Sequence, residues 1–242
     1  MSTDISKLVP EEEQGSSQKG KKLTSFLNRT GFGLALWQAI VPYPHRFVLT
    51  AALIFPLIVL VVLFINRKSI SLELGDKKNP AKQQSLFVAL AVSSMVMALR
   101  ATIDYDLLVF SDCLVAWAVV FVVLIVIMTW IENGSTVRLS PFSTKGLGIV
   151  FFVLIYSYGG TIVANCLYDK AEPEIYHTRV LRKHMTGGRS YRFYFVLDKW
   201  GPRTKPEDVA IPGSLYRKTQ PGDSIDVYVK KGTLGIPWYF VW

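Results

Sequence analysis

Residues 47–65 read FVLTAALIFPLIVLVVLFI, a run with no charged side chain and with Thr50 as its only polar one. As an α-helix rising about 1.5 Å per residue, this run is roughly 28 Å long, close to the ~30 Å hydrocarbon core of a bilayer. Comparable runs recur near residues 85–103, 113–131 and 147–167. The sequence therefore predicts an α-helical membrane protein with four transmembrane helices over residues 45–168.

Composition and charge agree with a membrane environment. Of the 242 residues, 50% are hydrophobic and 19% are charged, and the formal net charge is +9. Outside the four runs the chain is polar and basic, which suits contact with anionic lipid headgroups. No recognisable nucleic-acid-binding module accompanies the charge, so the lipid bilayer is a predicted partner and nucleic acid is not. A homo-oligomer is left open.

The first 44 residues divide into two predicted segments. Residues 1–22 carry three consecutive glutamates and a lysine-rich end, a composition too polar to bury a core, which predicts a disordered tail. In residues 23–44 apolar side chains follow near-helical spacing, which favours either an amphipathic helix lying in the membrane interface or a loosely packed linker. That apolar stripe consists of Leu23, Phe26, Leu27, Leu34, Trp37 and Val41.

The positive-inside rule does not decide the orientation of a four-span chain. An even number of spans places both chain ends on one side of the membrane. The lysines of the tail, with Arg29, Arg46 and Arg100, then oppose the basic residues of residues 66–84, Arg138 and Lys145. The numbers of basic residues on the two sides of the membrane are therefore nearly equal.

Arg100, Asp104 and Asp112 form a candidate intramembrane polar cluster where the second and third spans meet. Two spans and a turn nearly fill residues 85–131, so these side chains should lie at or just inside the hydrocarbon boundary. Arg100 and Asp104 are four residues apart, on one helical face, where they can pair. The pattern fits an interfacial pair that pins the helical hairpin, or a proton relay or substrate-binding pair. We favour the interfacial pair because the other spans carry no charge in their interior.

After residue 169 the hydrophobic period changes to that of a strand. Residues 191–198 and 225–230 alternate in the manner of strands with one buried face, and glycine and proline turn signals separate such segments. The pattern predicts strands near residues 175–184, 190–198, 208–211, 224–230 and 237–241, and a helical turn near 214–218. Residues 169–242 should therefore form a small all-β barrel or sandwich domain.

One part of this segment resembles a known kind of domain. The stretch GDSIDVYVKKGTLGIPWYFV (residues 222–241), with the preceding GSLYRKTQP, resembles the end of the small strand-rich domain of uncharacterised bacterial multi-span membrane proteins. The resemblance rests on turn glycines and aromatic residues. It implies a bacterial cytoplasmic (inner) membrane and a carboxy-terminal domain outside the cytoplasm. It implies no catalytic residues.

The carboxy-terminal segment also contains a candidate basic patch around its first hairpin. Such a patch attracts lipid headgroups, an acidic protein partner or a polyanion, although a solvated basic face is the simpler interpretation. Its members are Arg179, Arg182, Lys183, Arg189 and Arg192.

The sequence contains no motif of a common enzyme. His45, His177 and His184 have no metal-binding spacing, and neither a nucleophile elbow nor a phosphate-binding glycine loop occurs. We therefore predict no catalytic residues, no metal and no cofactor. The predicted function is a non-catalytic integral membrane protein that presents a small β domain for interaction or assembly with a protein partner. The alternatives are a transporter or channel subunit using Arg100, Asp104 and Asp112, and an envelope-modifying or lipid-modifying enzyme.

Overall fold

The chain folds as two compact units. A computed structural model describes residues 11–41, 45–66, 70, 85–133, 144–187 and 191–242. Met1–Asp104 and Leu114–Leu167 form a helical unit, and Tyr105–Cys113 and Tyr168–Trp242 form a β unit.

The described part of the helical unit contains five long helices. α1 (Glu11–Ile40) precedes α2 (His45–Ile65), α3 (Phe87–Asp104), α4 (Asp112–Asn133) and α5 (Thr144–Leu167). By length and composition, α2 to α5 are long and apolar enough to cross a membrane. These four helices contain the four apolar runs that the sequence predicts as spans.

α1 begins at Glu11, well before the predicted helical segment over residues 23–44. The predicted disordered tail over residues 1–22 is therefore helical from Glu11 onward, whereas residues 1–10 and 42–44 lie outside the described residues.

The buried side of α1 differs from the predicted apolar stripe. Leu27 is buried, but Phe26, Trp37 and Val41 are exposed. Leu23 and Leu34 of the stripe are half-buried, so the packed side of α1 overlaps the stripe only in part. Close helix packing favours small side chains over large ones. The residues that are buried instead are mostly small or polar: Gly20, Thr24, Leu27, Gly31, Ala35 and Gln38.

α3 packs closely against both α1 and α5. A Cβ atom added to Gly31 of α1 would lie 2.9 Å from the carbonyl oxygen of Ala89 on α3. A Cβ atom added to Gly159 of α5 would lie 2.7 Å from the Cα atom of Ala98. Glycine at these two points permits backbone contacts between helices that a larger side chain would prevent.

α4 contacts its neighbours through aromatic side chains. Trp117 Nε1 donates a hydrogen bond to Ser157 Oγ at 2.9 Å, and the rings of Trp130 and Phe64 stack with centroids 5.0 Å apart. α4 otherwise presents a broad apolar surface outward. The large side chains exposed on it include Leu114, Val115, Val119, Val122, Val123, Val126 and Ile127.

The β unit contains one curled antiparallel sheet, a half-barrel. Its strands are β1 (Asp106–Leu107), β2 (Glu174–Thr186), β3 (Arg192–Leu197), β4 (Glu207–Ile211), β5 (Ser224–Lys230) and β6 (Trp238–Val241). The short helix α6 (Gly213–Lys218) lies between β4 and β5. The strand order is β1-β6-β5-β2-β3-β4.

β2 is long enough to pair with two neighbours. Its first half pairs with β5, and its second half pairs with β3 beyond an irregularity between Val180 and Arg182. A bulge of this kind increases the local twist, which helps the sheet to curl. The core of the β unit comprises Val180, Phe195, Leu197, Trp200, Val209, Ile211, Ile225, Val227 and Tyr239.

The half-barrel differs from the predicted barrel or sandwich by one strand and by its open edges. β2 to β6 correspond to the five predicted strands, and α6 corresponds to the predicted helical turn. β1 lies in the connection between α3 and α4, outside the predicted domain over residues 169–242. It pairs with β6, with Asp106 opposite Tyr239 and Leu107 opposite Trp238. A two-residue strand leaves no alternation in the sequence, so local patterns could not indicate it.

Candidate functional site

The structure pairs two members of the predicted polar cluster. At the end of α3, Arg100 Nη2 lies 3.0 Å from Asp104 Oδ1, and both side chains are mostly buried. At the start of α2, His45 Nδ1 lies 4.0 Å from Asp104 Oδ2. This arrangement is an ion pair at a helix end, next to a neighbouring helix, within the helical unit.

Asp112, the third member, belongs to the other compact unit. It is the first residue of α4, where its side chain is exposed and forms no ion pair with any described residue. A carboxylate at this position stabilises the positive end of the helix dipole. A local role in starting α4 therefore accounts for Asp112.

Three members of the predicted basic patch are exposed. Arg179 and Arg182 on β2 and Arg192 on β3 face outward. Lys183 instead packs inward, because its ammonium group lies 4.4 Å from the ring centroid of Tyr216 and donates a hydrogen bond to the carbonyl oxygen of Thr219. Arg189 lies outside the described residues.

A group of charged and polar side chains that the sequence did not indicate connects the two edge strands of the half-barrel. We call Asp106, Arg203, Glu207 and Tyr239 the edge cluster. Arg203 Nη2 donates a hydrogen bond to the carbonyl oxygen of Leu108, just after β1, at 2.6 Å. Its Nε lies 2.9 Å from Glu207 Oε2 on β4, and its guanidinium also hydrogen-bonds to Tyr239. The edge cluster thus connects β1 and β4, the two edge strands, which do not pair with each other through backbone hydrogen bonds.

Burial controls the protonation of the edge cluster. Burial, with a contribution from the nearby Glu207 carboxylate, raises the pKa of Asp106 to about 6. Burial also raises the pKa of Glu207, although the guanidinium of Arg203 opposes the shift. The pKa of Tyr239 is raised above its ordinary value, mainly by burial and by the Asp106 and Glu207 carboxylates. Arg203 thus stabilises the charged form of Glu207, whereas the Glu207 carboxylate disfavours the charged form of Asp106.

We expect Asp106 to destabilise the β unit as the pH rises from 3.8, its ordinary pKa, to about 6. In this interval the folded protein binds more protons than the unfolded chain, so stability falls with increasing pH. Asp106→Asn should reduce this slope, leaving the part that Glu207 contributes, whereas Asp112→Asn should leave the slope unchanged. The measurement is the thermal unfolding midpoint of the full-length protein between pH 4 and pH 7. An unchanged slope in the Asp106 variant would contradict the assignment.

A second buried carboxylate fixes the ends of the β unit together. Asp169 Oδ1 accepts a hydrogen bond from the Ala171 N–H at 2.8 Å, and Asp169 Oδ2 accepts bonds from the Gly232 N–H at 2.8 Å and from Trp238 Nε1 at 3.0 Å. Lys230 Nζ donates to the Asp169 carbonyl oxygen at 3.0 Å. Although burial alone would raise the pKa of Asp169, these hydrogen bonds lower it. Asp169 therefore holds the start of the β unit to the β5–β6 connection.

The described residues do not include a group of three or more histidine, cysteine or acidic side chains that could hold a metal ion. Cys113 and Cys166 do not form a disulfide, and both are buried. The edge cluster and the Asp169 carboxylate are best explained as structural connections.

No protein-family model matches this chain, and comparisons with curated proteins and with solved structures give no match.

Proposed function

We propose that this protein is an integral component of a bacterial cytoplasmic membrane whose helices cross the bilayer and whose β unit binds a partner protein without catalysis. The observation that carries this proposal is the apolar outer surface of the helical unit. Large aliphatic side chains exposed on α2 and α4 would form an unfavourable patch in water, but they match hydrocarbon. They include Ile54, Ile58, Val61, Val119, Val122 and Val126.

Several polar side chains of α3 and α5 support the same conclusion because they are buried and donate hydrogen bonds to backbone carbonyls. Tyr156 donates a hydrogen bond to the carbonyl oxygen of Leu53 at 2.6 Å. Ser93 donates to the carbonyl oxygen of Ala89 at 2.6 Å, within α3. Hydrogen-bonded polar groups inside and apolar groups outside are what a lipid solvent favours.

The charge distribution favours an anchor over a transporter or channel. Arg100 and Asp104 lie in the last turns of α3 and neutralise each other. The interiors of α2, α4 and α5 have no charged side chain in the sequence. A transport path would be expected to place ionisable groups deeper in the helices.

The β unit supplies a surface that can bind an acidic partner protein. Its core is formed by its own residues, so its outer face does not need to be buried for the fold to hold. Arg179, Arg182 and Arg192 are exposed on neighbouring strands, where their guanidinium groups can pair with carboxylates.

The test is cross-linking in native membranes. A photoreactive amino acid at Arg182 of the full-length protein should give a discrete adduct with a partner protein. Arg179→Glu combined with Arg192→Glu should abolish that adduct, whereas Lys231→Glu, a matched change at an exposed residue, should leave it. Absence of an adduct from correctly inserted protein would contradict the proposal. An ion or solute flux through liposomes that Arg100→Gln abolishes would instead support a transporter.

A further inference from the structure

Over residues 30–41, α1 has the surface of a helix immersed in lipid, whereas Lys19, Lys21, Lys22, Ser25 and Arg29 are exposed nearer its start. Its polar residues Thr24 and Gln38 are buried, and Gln38 has no exposed surface. Its large apolar residues face outward, among them Phe32 and Ile40. From residue 30 to residue 41 the exposed side has no charge, and Thr30 satisfies its hydroxyl by donating to the Phe26 carbonyl oxygen at 2.9 Å. A helix lying on the membrane surface would expose its polar side to water instead.

α1 runs antiparallel to α2 along the length of its contact. The rings of Trp37 and Phe47 have centroids 6.0 Å apart, and a Cβ atom on Gly31 would lie 2.9 Å from Phe55 Cε1. Contacts earlier in α1 are thus made with residues later in α2, and the two positions shift by about the same number of residues. Because α1 is continuous from Glu11, the same spacing brings Lys21 level with the end of α2 at Ile65. α1 is therefore long enough to accompany α2 through its whole apolar run.

α1 also reaches the beginning of α3. Asn28 Nδ2 donates a hydrogen bond to the Ser85 carbonyl oxygen at 2.9 Å, and the Ala89 N–H donates to Asn28 Oδ1 at 3.0 Å. The Asn28 side chain thereby caps the first turn of α3 and satisfies its own amide. By the register with α2, Arg29 is exposed close to the level of Pro56, so a crossing α1 carries one lipid-facing arginine whose long side chain must extend toward the headgroups from within the hydrocarbon.

We propose that α1 crosses the bilayer as a fifth span, so that the amino-terminal tail and the β unit lie on opposite sides of the membrane. This inference rests on the proposed function, because it requires α2 to α5 to be membrane spans. α1 passes the start of α3 at Asn28 and meets the start of α2 at Trp37, and α2 and α3 are antiparallel neighbours with His45 close to Asp104. Because α1 contacts α3 near one end of the α2–α3 pair and α2 near the other end, we infer that α1 crosses the bilayer beside them.

A fifth span also resolves the orientation that four spans leave undecided. Arg46 and Arg100 fall on one side together with the β unit. The rule that cytoplasmic segments carry the excess of lysine and arginine then places the tail in the cytoplasm and the β unit outside. The side of the β unit adds Lys170, Arg179, Arg182 and Lys183, which follow α5. The larger group, on the tail side, consists of Lys7, Lys19, Lys21, Lys22, Arg67, Lys68, Lys77, Lys78, Lys82, Arg138 and Lys145.

Cysteine labelling of intact spheroplasts tests the inference. Gln18→Cys in the tail and Thr233→Cys in the β unit are placed singly in a chain with Cys113→Ser and Cys166→Ala, and both sites are exposed. A membrane-impermeant maleimide should label Thr233→Cys in intact spheroplasts and Gln18→Cys only after lysis. If the cysteine-free chain does not accumulate, compartment-specific reporters fused to either end of the wild-type chain give the same information.

The other outcomes separate this inference from the proposed function. Labelling of both sites, or of neither, in protein that stays in the membrane after alkaline carbonate washing would overturn the fifth span and leave the membrane anchor intact. Labelling of Gln18→Cys alone would overturn the orientation. Release of the wild-type protein by carbonate would overturn the proposed function itself.

Discussion

Gly159→Ala should destabilise the helical unit by about 3 kcal/mol, at the upper end of the range for overpacking. The added Cβ atom would lie 2.7 Å from the Cα atom of Ala98 and 3.0 Å from its backbone nitrogen. These are backbone atoms of a neighbouring helix, so relief requires α5 and α3 to move apart along their length. We expect a lower unfolding midpoint when the full-length protein is titrated with a denaturing detergent, together with reduced accumulation in membranes.

The adjacent glycine provides a matched control. A Cβ atom on Gly160 would meet only Leu53 Cδ1 at 3.4 Å and Met97 Cε at 4.0 Å, which are ends of flexible side chains at ordinary contact distance. Gly160→Ala should therefore change the midpoint little. Equal destabilisation by the two variants would show that the close approach of α3 and α5 at Gly159 is absent.

Asp169→Ala should destabilise the β unit by roughly 4 kcal/mol, since it leaves buried donors without an acceptor at about 1–3 kcal/mol each. The Gly232 N–H and Trp238 Nε1 both donate to Asp169 Oδ2. Their loss should free the β5–β6 connection from the start of the β unit. Faster amide hydrogen exchange in β5 and β6 of the full-length protein is the direct readout. Glu172→Ala removes an exposed carboxylate nearby and should leave exchange unchanged; a similar increase in both variants would contradict the role of Asp169.

The pH dependence that Asp169 produces has the opposite sign to that of Asp106. Hydrogen bonds lower the pKa of Asp169 below its ordinary value of 3.8. Its contribution to stability is therefore present above that value and is lost as the pH falls through the folded-state pKa. We expect acid unfolding of the β unit to begin at higher pH in Asp169→Ala than in the wild-type protein.

Local patterns in the sequence were sufficient to predict the long apolar helices and most of the half-barrel. Residues 47–65 carry a composition that only a long buried or lipid-facing helix accommodates, and α2 covers them. The period of two in residues 191–198 predicts a strand, and β3 occupies most of that segment. In both cases the pattern of residues that are adjacent in the sequence is enough to predict the element.

Features that depend on distant residues could not be predicted in this way. Asp106 and Glu207 are far apart in the sequence, and only the curl of the sheet brings them close enough to affect each other's protonation. The packed face of α1 follows Gly31 and other small or polar residues, which carry no hydrophobic signal. Gly159 and Gly160 are adjacent in the sequence, and only the coordinates show that Gly159 is the one at the close backbone contact with α3.

Site-directed spin labelling of α4 tests membrane insertion most directly. A spin label at Val122, in full-length protein reconstituted into lipid vesicles, should collide often with dissolved oxygen and rarely with a water-soluble nickel complex. Val122 is 57% exposed on the outer side of α4, so the label should not disturb helix packing. A label at Thr233 in the β unit should show the reverse preference. If the label at Val122 met the nickel complex as readily as the label at Thr233, α4 would lie in water and not in the bilayer.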